Sequence, residues 1–250
     1  MKFSDALIAN LQSAKSICVL TGAGISAESG VPTFRGEEGL WKKFRPEELA
    51  NFDAFIRNPD LVLEWYTYRR KLIRDVKPNP GHYALVDLEH AVEQFTLVTQ
   101  NVDNLHRRAG SESVVELHGN IERSYCIDCG ASAPDSDLES LSAAPRCRDC
   151  GGLIRPDVVW FGEMLPVEAF SKAEKAARQC DVFLCIGTSA VVYPAASLPY
   201  IALDHGGYVI ELNQEHTELS ARAHETLLGP SGELLPALLL SLRHQQGKEP

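Results

Sequence analysis

The chain has 250 residues, of which 44% are apolar and 23% are charged. These proportions are typical of a globular protein with a sizeable core, and they exclude disordered, collagen-like and coiled-coil chains. The 24 basic and 34 acidic side chains give a net charge of −10, which disfavours general nucleic-acid binding because such binding depends on neutralising phosphates.

Strand and helix patterns alternate along the chain. Residues 1–15 place apolar side chains at helical spacing, and a short apolar run at 16–20 follows them. Similar runs predict strands at 95–99, 114–117, 182–186 and 208–212, and amphipathic or leucine-rich segments predict helices at 60–75, 167–179 and 233–242. This alternation predicts an α/β fold with a doubly wound parallel sheet that is covered by helices on both faces.

Two segments interrupt this alternation and predict a second, smaller domain. Residues 35–75 show loop and helix patterns, and residues 119–157 contain paired cysteines. We expect these inserts to form the small domain, and we expect a discontinuous Rossmann-like domain from residues 1–34, 76–118 and 158–243. Residues 244–250 are polar and predict a flexible tail.

The location of the protein can also be predicted. No run of 18 apolar residues is present, so neither a membrane span nor a membrane partner is expected. The first residues lack the apolar segment of a secretory signal. The chain has seven cysteines, and an odd number favours a reducing compartment. The sequence therefore predicts a cytoplasmic protein.

A glycine-rich turn follows the first predicted strand. Residues 22–27, GAGISA, fit the G-x-G-x-x-G/A pattern, in which glycines let the backbone approach the pyrophosphate of a dinucleotide. An ordinary glycine turn is the alternative. Residues 29–36, SGVPTFRG, do not form a second strand with an acidic residue for the ribose, so hydride transfer is not the default expectation.

Four cysteines form two C-x-x-C pairs, and they are Cys126, Cys129, Cys147 and Cys150. Two such pairs predict a zinc ribbon, in which four thiolates close the coordination of one structural zinc ion and leave no open position for catalysis. A redox or disulfide pair is the alternative. A zinc ribbon can also bind nucleic acid, but the spacer at 131–145 is acidic and contains no basic residue.

Polar residues follow two predicted strands at their carboxyl ends. Residues 99–106, TQNVDNLH, follow one strand, and His118 precedes Gly119 after the next. Open α/β sheets bind ligands at such strand ends, and a histidine there can act as a general base near neutral pH. An Asx-turn loop and a structural histidine are the alternatives. His106 is the second candidate for the base.

Together these motifs resemble the sirtuin family of NAD-dependent protein-lysine deacylases. The similar segments occur in the family's order, at 22–36, 99–106, 118–120, the cysteine quartet, 156–163 (PDVVWFGE), 187–189 and 212–213. The resemblance implies that NAD binds as a co-substrate between the Rossmann-like domain and the zinc-containing domain. Acyl-lysine proteins or peptides would be the other partner, entering from the opposite side.

The resemblance also implies the chemistry. The acyl carbonyl oxygen attacks the ribose C1′ as nicotinamide leaves, which gives an alkylimidate. His118 then acts as general base on a ribose hydroxyl that attacks the imidate carbon, and water completes the reaction. The products are free lysine, nicotinamide and 2′-O-acyl-ADP-ribose.

By the same resemblance, several loops supply the NAD site. Its residues are Gly22, Ala23, Gly24, Ala27, Thr33, Phe34, Arg35, Trp41, Gln100, Asn101, Val102, Asp103, Gly187, Thr188, Ser189, Asn213, Gln214, Glu215 and Ser231. Phe34 and Arg35 would exclude water from the reacting ribose. The substrate backbone would bind as an added strand between two segments that contain Val159, Trp160, Phe161, Val192 and Tyr193.

The acyl group is predicted from one helix. Tyr66 and Arg69 lie three positions apart, so both can face one pocket. This Y-x-x-R pattern resembles that of the sirtuin subclass that removes succinyl and malonyl groups, which implies a preference for these groups. The chemistry is consistent with it, since Arg can bind a carboxylate bidentately and Tyr can donate a second hydrogen bond. Ala50 would leave room for a longer chain, and acetyl removal is also expected. The alternative is that Arg69 or Arg70 is a solvated cation on the helix surface. Arg70 is expected to matter less than Arg69 for the choice of acyl group.

Two other functions stay open on the sequence. An ADP-ribosyltransferase on the same fold would use NAD, but it would need neither the segment at 156–163 nor His118. A non-enzymatic zinc-ribbon protein that binds nucleic acid or protein is disfavoured by the net charge of −10 and by the glycine loop.

Overall fold

The computed structural model describes residues 2–33, 46–133 and 143–246 of the chain. Strands in these residues are β1 (Ser16–Thr21), β2 (Gln94–Thr99), β3 (Val114–Glu116), β4 (Gly119–Cys126), β5 (Ile154–Val158), β6 (Val182–Ile186), β7 (Tyr208–Asn213) and β8 (Glu225–Leu228). Helices are α1 (Asp5–Ser13), α2 (Ala23–Ala27), α3 (Pro46–Leu49), α4 (Phe52–Arg57), α5 (Pro59–Asp75), α6 (Pro80–Ala91), α7 (Leu105–Ala109), α8 (Val167–Gln179), α9 (Leu198–Asp204) and α10 (Ser231–Gln246).

Within the described residues, six strands form one parallel sheet in the order β3-β2-β1-β6-β7-β8. The chain builds outwards from β1 in one direction and then returns to build from β6 in the other. Loops that follow neighbouring strands on the two sides of such a reversal diverge and leave a crevice at the carboxyl ends of the strands. The topology therefore places a ligand crevice between the loops after β1 and β6.

Both faces of this sheet are buried, and β1 shows why. Ile17 and Val19 pack into a core with helices α1, α6 and α10, whereas Cys18 and Leu20 pack into a second core with α8 and α9. Successive strand side chains point to opposite faces, so a continuous apolar run fits a sheet that is covered twice. Complete burial of a side chain such as Leu20 contributes about 1.5–3 kcal/mol.

The helix that carries the predicted acyl-selecting residues has a clear beginning and one buried face. The side chain of Asn58 accepts a hydrogen bond from the backbone N–H of Leu61 at 3.3 Å, and Pro59 occupies the first turn, as is typical of a capped helix start. The buried side chains of α5 recur at intervals of three or four residues, and they are Val62, Leu63, Trp65, Tyr66, Arg69 and Ile73.

Helices α3 to α5 and the antiparallel pair β4–β5 form a second group beside the main sheet. Phe55, Tyr66 and Trp160 are buried in its core, together with Val102 and Leu105 from the segment after β2. Because that core includes residues of the segment that follows a sheet strand, the second group packs directly against the carboxyl edge of the sheet. The predicted boundaries of two domains stay a prediction.

The predicted α/β fold with a parallel sheet is confirmed. The five predicted strands are present among the described residues, and their ends lie within one residue of the expected positions. Strands β4, β5 and β8 were not predicted, because they are short or mix polar with apolar residues. The last helix continues beyond residue 242 to Gln246. Among the described residues, no helix has the length and apolar character needed to cross a bilayer.

Candidate functional site

A cavity of about 920 Å³ opens at the carboxyl edge of the sheet, between the sheet and the second group of elements. Most predicted site residues line it, namely Gly22, Ala23, Gly24, Ala27, Thr33, Ala50, Tyr66, Arg69, Gln100, Asn101, Val102, His118, Val159, Trp160, Phe161, Gly187, Thr188, Ser189, Val192, Tyr193, Asn213, Gln214 and Glu215. The volume lies in the range of small-molecule and cofactor sites.

The glycines of the two loops that border the crevice pack against each other. A Cβ atom on Gly24 would lie 2.6 Å from the Cα of Gly187, and one on Gly22 would lie 2.7 Å from the Cβ of Thr188. Gly187 also has a φ of +60°, which side chains with a Cβ rarely adopt. The glycines are therefore required for the two loops to meet, in addition to any approach of their backbone to a ligand.

Amide side chains connect these loops across the cavity floor. Nδ2 of Asn101 donates to the carbonyl oxygen of Gly22 at 3.0 Å, and Nε2 of Gln100 donates to Oγ1 of Thr188 at 3.0 Å. Nδ2 of Asn213 donates to the carbonyl oxygen of Thr188, also at 3.0 Å. The ends of four strands, β1, β2, β6 and β7, are thus held together by side chains that also face the cavity.

Within the described residues, two predicted cofactor residues do not line the cavity. Asp103 is buried and accepts a hydrogen bond from the backbone N–H of Leu105 at 2.9 Å, and burial raises the pKa of its carboxyl group. Ser231 begins α10 and donates to Glu28 at 3.0 Å. The predictions for Phe34, Arg35 and Trp41 lie outside the described residues.

Several lining residues were not predicted. They include Leu165, Pro194, His216, Thr217 and Glu218. Residues 216–218 follow the carboxyl end of β7, so the rule that ligands bind beyond strand ends could have identified them.

His118 lies between β3 and β4 and faces the cavity. Its Nδ1 is 2.9 Å from the carbonyl oxygen of Gln100. A carbonyl only accepts, so Nδ1 carries the proton and Nε2 keeps a lone pair. Burial lowers the pKa of His118, and the hydrogen bond to Gln100 partly offsets this effect. The neutral imidazole therefore presents a base at neutral pH.

The next residue fixes the path of the chain at this histidine. Gly119 has a φ of +79°, and a Cβ atom there would lie 2.1 Å from the carbonyl oxygen of Asp157. The carbonyl oxygen of His118 accepts from the backbone N–H of Val159 at 2.9 Å. The backbone conformation therefore requires glycine at position 119, directly after the histidine that supplies the imidazole.

His106, the second candidate for the base, is in the wrong place. Its Nε2 lies 2.9 Å from the hydroxyl of Thr21, the side chain is only 2% exposed, and it is absent from the cavity lining in the described part of the chain. Its ring lies tilted against that of His82, with 4.9 Å between the ring centres, and burial lowers its pKa well below the ordinary value. His106 belongs to the buried polar layer beneath the site.

Tyr66 and Arg69 both face the cavity from α5 and are buried, so the solvated-cation alternative for Arg69 does not hold. The guanidinium carbon of Arg69 lies 5.9 Å from the centre of the Tyr66 ring. Burial raises the pKa of the Tyr66 phenol and lowers that of Arg69. At neutral pH the pair therefore offers a protonated hydroxyl and, since a guanidinium stays charged, a cation.

The side chain of the neighbouring Arg70 points towards β4 and has a structural role. Its guanidinium donates to the carbonyl oxygens of Ile121 and Arg123 and to the hydroxyl of Ser124. These bonds attach α5 to β4. The expectation that Arg70 matters less for acyl selectivity stays a prediction, and Arg70 does not line the cavity in the described chain. Its bonds to β4 nevertheless make it important for stability.

The four predicted zinc ligands come together away from the cavity lining. Their Sγ atoms all lie within 4.8 Å of one another. In each C-x-x-C pair the glycine after the second cysteine, Gly130 or Gly151, has a positive φ and donates its N–H to the first cysteine's carbonyl oxygen. Four thiolates at this spacing fit one tetrahedral zinc ion with no open position, so the metal is structural.

Comparison with known proteins agrees with this geometry. The family model described as "Sir2 family" matches residues 22–194. An NAD-dependent protein deacylase of Aquifex aeolicus is 54% identical over 82% of this chain and 86% of its own length. NAD-dependent protein deacylase 2 of Pyrobaculum aerophilum is 50% identical over 94% of both chains.

Solved structures show the same fold. A mutant Sir2 homologue in complex with ADP-ribose has a TM-score of 0.95 at 42% identity, covering 99% of this chain and 100% of its own. A Sir2 homologue in complex with NAD has a TM-score of 0.92 at 43% identity, covering 98% and 95% of the two chains. The resemblance stated from the sequence is confirmed: the chain belongs to the Sir2, or sirtuin, family.

Proposed function

We propose that this protein is an NAD-dependent protein-lysine deacylase that prefers succinyl and malonyl groups, also removes acetyl groups, and uses His118 as general base. Curated relatives that are 50–54% identical carry the name NAD-dependent protein deacylase. The observation that carries the proposal is that the glycine loops, His118 and the Tyr66–Arg69 pair all line the same cavity.

The residues present fit NAD. The cavity lies at the strand-order reversal where doubly wound sheets bind dinucleotides, and its lining alternates glycine backbone with amide side chains. Gly22, Gly24 and residues 187–189 would hold the phosphates and ribose, and Asn101 would pair with an amide. When bound, NAD supplies the ribose carbon that takes the acyl oxygen as nicotinamide leaves.

His118 would remove the proton from a ribose hydroxyl. The bond from Nδ1 to Gln100 fixes the ring and leaves Nε2 free to accept. Because burial lowers the pKa of the imidazole, the base is already neutral when the substrate arrives. General-base catalysis of this kind contributes about 10²–10⁴-fold to turnover.

Tyr66 and Arg69 would recognise the far end of an acidic acyl chain. Succinyl and malonyl groups end in a carboxylate, whereas an acetyl group ends in a methyl. A hydrogen bond to a charged group is worth about 1.5–3 kcal/mol, and both side chains are buried, with exposures of 3% and 7%. The pair therefore favours acyl groups that end in a carboxylate.

The segment at 158–161 would contact the main chain of the substrate. Its N–H groups at Val159 and Phe161 already donate to the carbonyl oxygens of His118 and Ala50, both at 2.9 Å. The carbonyl oxygens of Val158 and Trp160 also accept hydrogen bonds already, from the Arg155 guanidinium and from the backbone N–H of Glu163. An added strand would therefore bond chiefly to the carbonyl oxygen of Val159. The exposed side chains of Phe161, Val191 and Tyr193 lie at the cavity rim, and the net charge of −10 favours lysine-rich partners.

Mass spectrometry of the products tests the proposal. The protein is incubated with NAD and a succinyl-lysine peptide, and we expect equal amounts of nicotinamide, free-lysine peptide and 2′-O-succinyl-ADP-ribose. An ADP-ribosyltransferase would instead release nicotinamide and leave ADP-ribose on protein, with the peptide still acylated. That outcome would overturn the proposal.

A further inference from the structure

The indole of Trp160 contacts Tyr66, one of the two proposed acyl-selecting residues, directly. Its Nε1–H donates to the hydroxyl oxygen of Tyr66 at 2.8 Å, and the two rings lie 6.1 Å apart between centroids. Both side chains are buried and both line the cavity. The bond joins residues 94 positions apart, so it exists only because the segment after β5 packs against α5 at this end of the cavity.

The position of the Trp160 side chain is fixed by contacts with Arg155, Phe55 and Glu163. The guanidinium carbon of Arg155 lies 3.5 Å from the centre of the indole ring, and Phe55 packs against it at 5.2 Å. Glu163 pairs with Arg155 and also accepts the backbone N–H of Trp160 at 2.7 Å. A cation over the face of an indole is attracted by its π-electrons, and withdrawal of that density makes the ring N–H a stronger donor.

The bond determines the direction of the Tyr66 hydroxyl hydrogen. A phenol prefers its O–H in the ring plane, which leaves two positions, and an indole N–H can donate but not accept. The indole occupies one position, so the hydrogen takes the other. In the part of the chain that the structure describes, Trp160 is the only hydrogen-bond partner of this hydroxyl. Because Tyr66 lines the cavity, its remaining bond is available to a ligand.

We propose that Trp160 is a specificity-determining positioning residue: its indole N–H commits the Tyr66 hydroxyl to donate into the cavity, and so favours acyl groups that end in a hydrogen-bond acceptor. The inference rests on the proposed function, since it concerns the same acyl site. A freely rotating phenol would lose rotational freedom when it bound a carboxylate. A phenol whose hydroxyl is already oriented does not lose this freedom on binding. The methyl group of an acetyl chain cannot accept the hydrogen bond and so gains nothing from the orientation.

A double-mutant cycle tests the inference. The measured quantity is the ratio of kcat/KM for a succinyl-lysine peptide to kcat/KM for the matching acetyl-lysine peptide. Trp160→Phe keeps an aromatic face for Arg155 but removes the donor, and we expect the ratio to fall about fivefold to tenfold, the size of one ordinary hydrogen bond. In a Tyr66→Phe background, Trp160→Phe should leave the ratio unchanged, because no hydroxyl remains to be oriented.

Phe55→Leu is the matched control, because it loosens the packing behind Trp160 without touching the hydrogen bond. It should lower the melting temperature but not the ratio. The bond is also measured directly from the indole ¹H–¹⁵N signals, assigned by single substitutions of the three tryptophans. Tyr66→Phe should move the Trp160 signal to lower proton frequency, a readout that does not depend on Trp160→Phe folding.

The outcomes separate this inference from the proposed function. If Tyr66→Phe lowers the ratio but Trp160→Phe does not, the inference fails and the proposed function stands. An equal effect of Trp160→Phe with and without the Tyr66 hydroxyl, or an indole signal unchanged by Tyr66→Phe, also overturns the inference. If Tyr66→Phe itself leaves the ratio unchanged, the proposed role of Tyr66 in the acyl preference fails, and the inference fails with it.

Discussion

The Nδ1 atom of His118 lies 2.9 Å from the carbonyl oxygen of Gln100, while the side chain of Gln100 donates to Thr188 at 3.0 Å. One residue at the end of β2 therefore orients the imidazole through its backbone and reaches the loop after β6 through its side chain. The relationship couples the position of the proposed base to the loops that would hold NAD.

Replacement of this imidazole should stop the second half of the reaction. We expect His118→Ala to lower turnover by about 10²–10⁴-fold, with zinc content, melting temperature and NAD affinity close to those of the wild type. His90→Ala is the matched control, because His90 is exposed at the end of α6. Wild-type turnover in His118→Ala would place the base elsewhere.

The pH dependence of the reaction should follow the same histidine. Burial lowers the pKa of His118 below the ordinary 6.5, and the base works only when it is neutral. The value of kcat/KM should therefore rise with pH through a point below 6.5 and be level above it. A pH–rate profile measures this directly, and an acidic limb centred above pH 7 would contradict the assignment.

Much of the site could be predicted from the sequence because its signals are local. The spacing of the two C-x-x-C pairs is enough to identify the four zinc ligands. The polar residues after the strands reach the cavity because parallel strands end at the same edge of the sheet. Tyr66 and Arg69 share a face because they are three positions apart on a helix.

Contacts between distant segments could not be predicted in the same way. The sequence shows no sign that Trp160 bonds to Tyr66, that Arg70 attaches α5 to β4, or that His106 turns towards Thr21. Each depends on how two elements pack, and that is decided by the whole core. The glycine-rich loop is a further example. Its sequence pattern predicts a ligand-binding loop, but it does not predict that Gly24 is also needed for close contact with Gly187.

Loss of a zinc ligand should unfold the second group of elements rather than block a chemical step. Cys126 and Cys147 are buried beside Ile154 in a small core of their own, which has little apolar surface to hold it without metal. Cys126→Ala should therefore lose zinc and lower the melting temperature, with activity lost as a consequence. Cys180→Ala, outside the cluster, should keep its zinc. A well-folded, zinc-loaded Cys126→Ala variant that is inactive would contradict this.

Acid should destabilise the fold through His82. This side chain is fully buried, and burial lowers its pKa to about 4 from the ordinary 6.5. Below pH 6.5 the unfolded chain binds a proton that the folded chain does not, so stability falls between pH 6.5 and about 4. At about 1.36 kcal/mol per pKa unit, the full loss is about 3 kcal/mol.

Urea denaturation of the wild type and of His82→Gln, at equal zinc loading between pH 7.5 and pH 5, tests this effect. The variant should be less stable at pH 7.5, because it replaces a packed ring, but its stability should fall less steeply with acid. Parallel slopes for the two proteins would show that the acid sensitivity has another origin.

Acyl selectivity should depend on the cation of Arg69. Arg69→Met keeps the length and helix propensity of the side chain but removes its charge, so desuccinylation should fall about 10–150-fold and deacetylation much less. Lys71→Met is the matched control, because Lys71 lies on the same helix and is exposed. Arg70 is unsuitable, because its loss would detach α5 from β4.

The most direct test is kcat/KM, with NAD, for one peptide that carries either succinyl-lysine or acetyl-lysine, measured for the wild type and for Arg69→Met. The account predicts that the wild type favours the succinyl peptide and that the substitution removes this preference. A wild type that favours the acetyl peptide, or an equal loss of both activities in Arg69→Met, would contradict it.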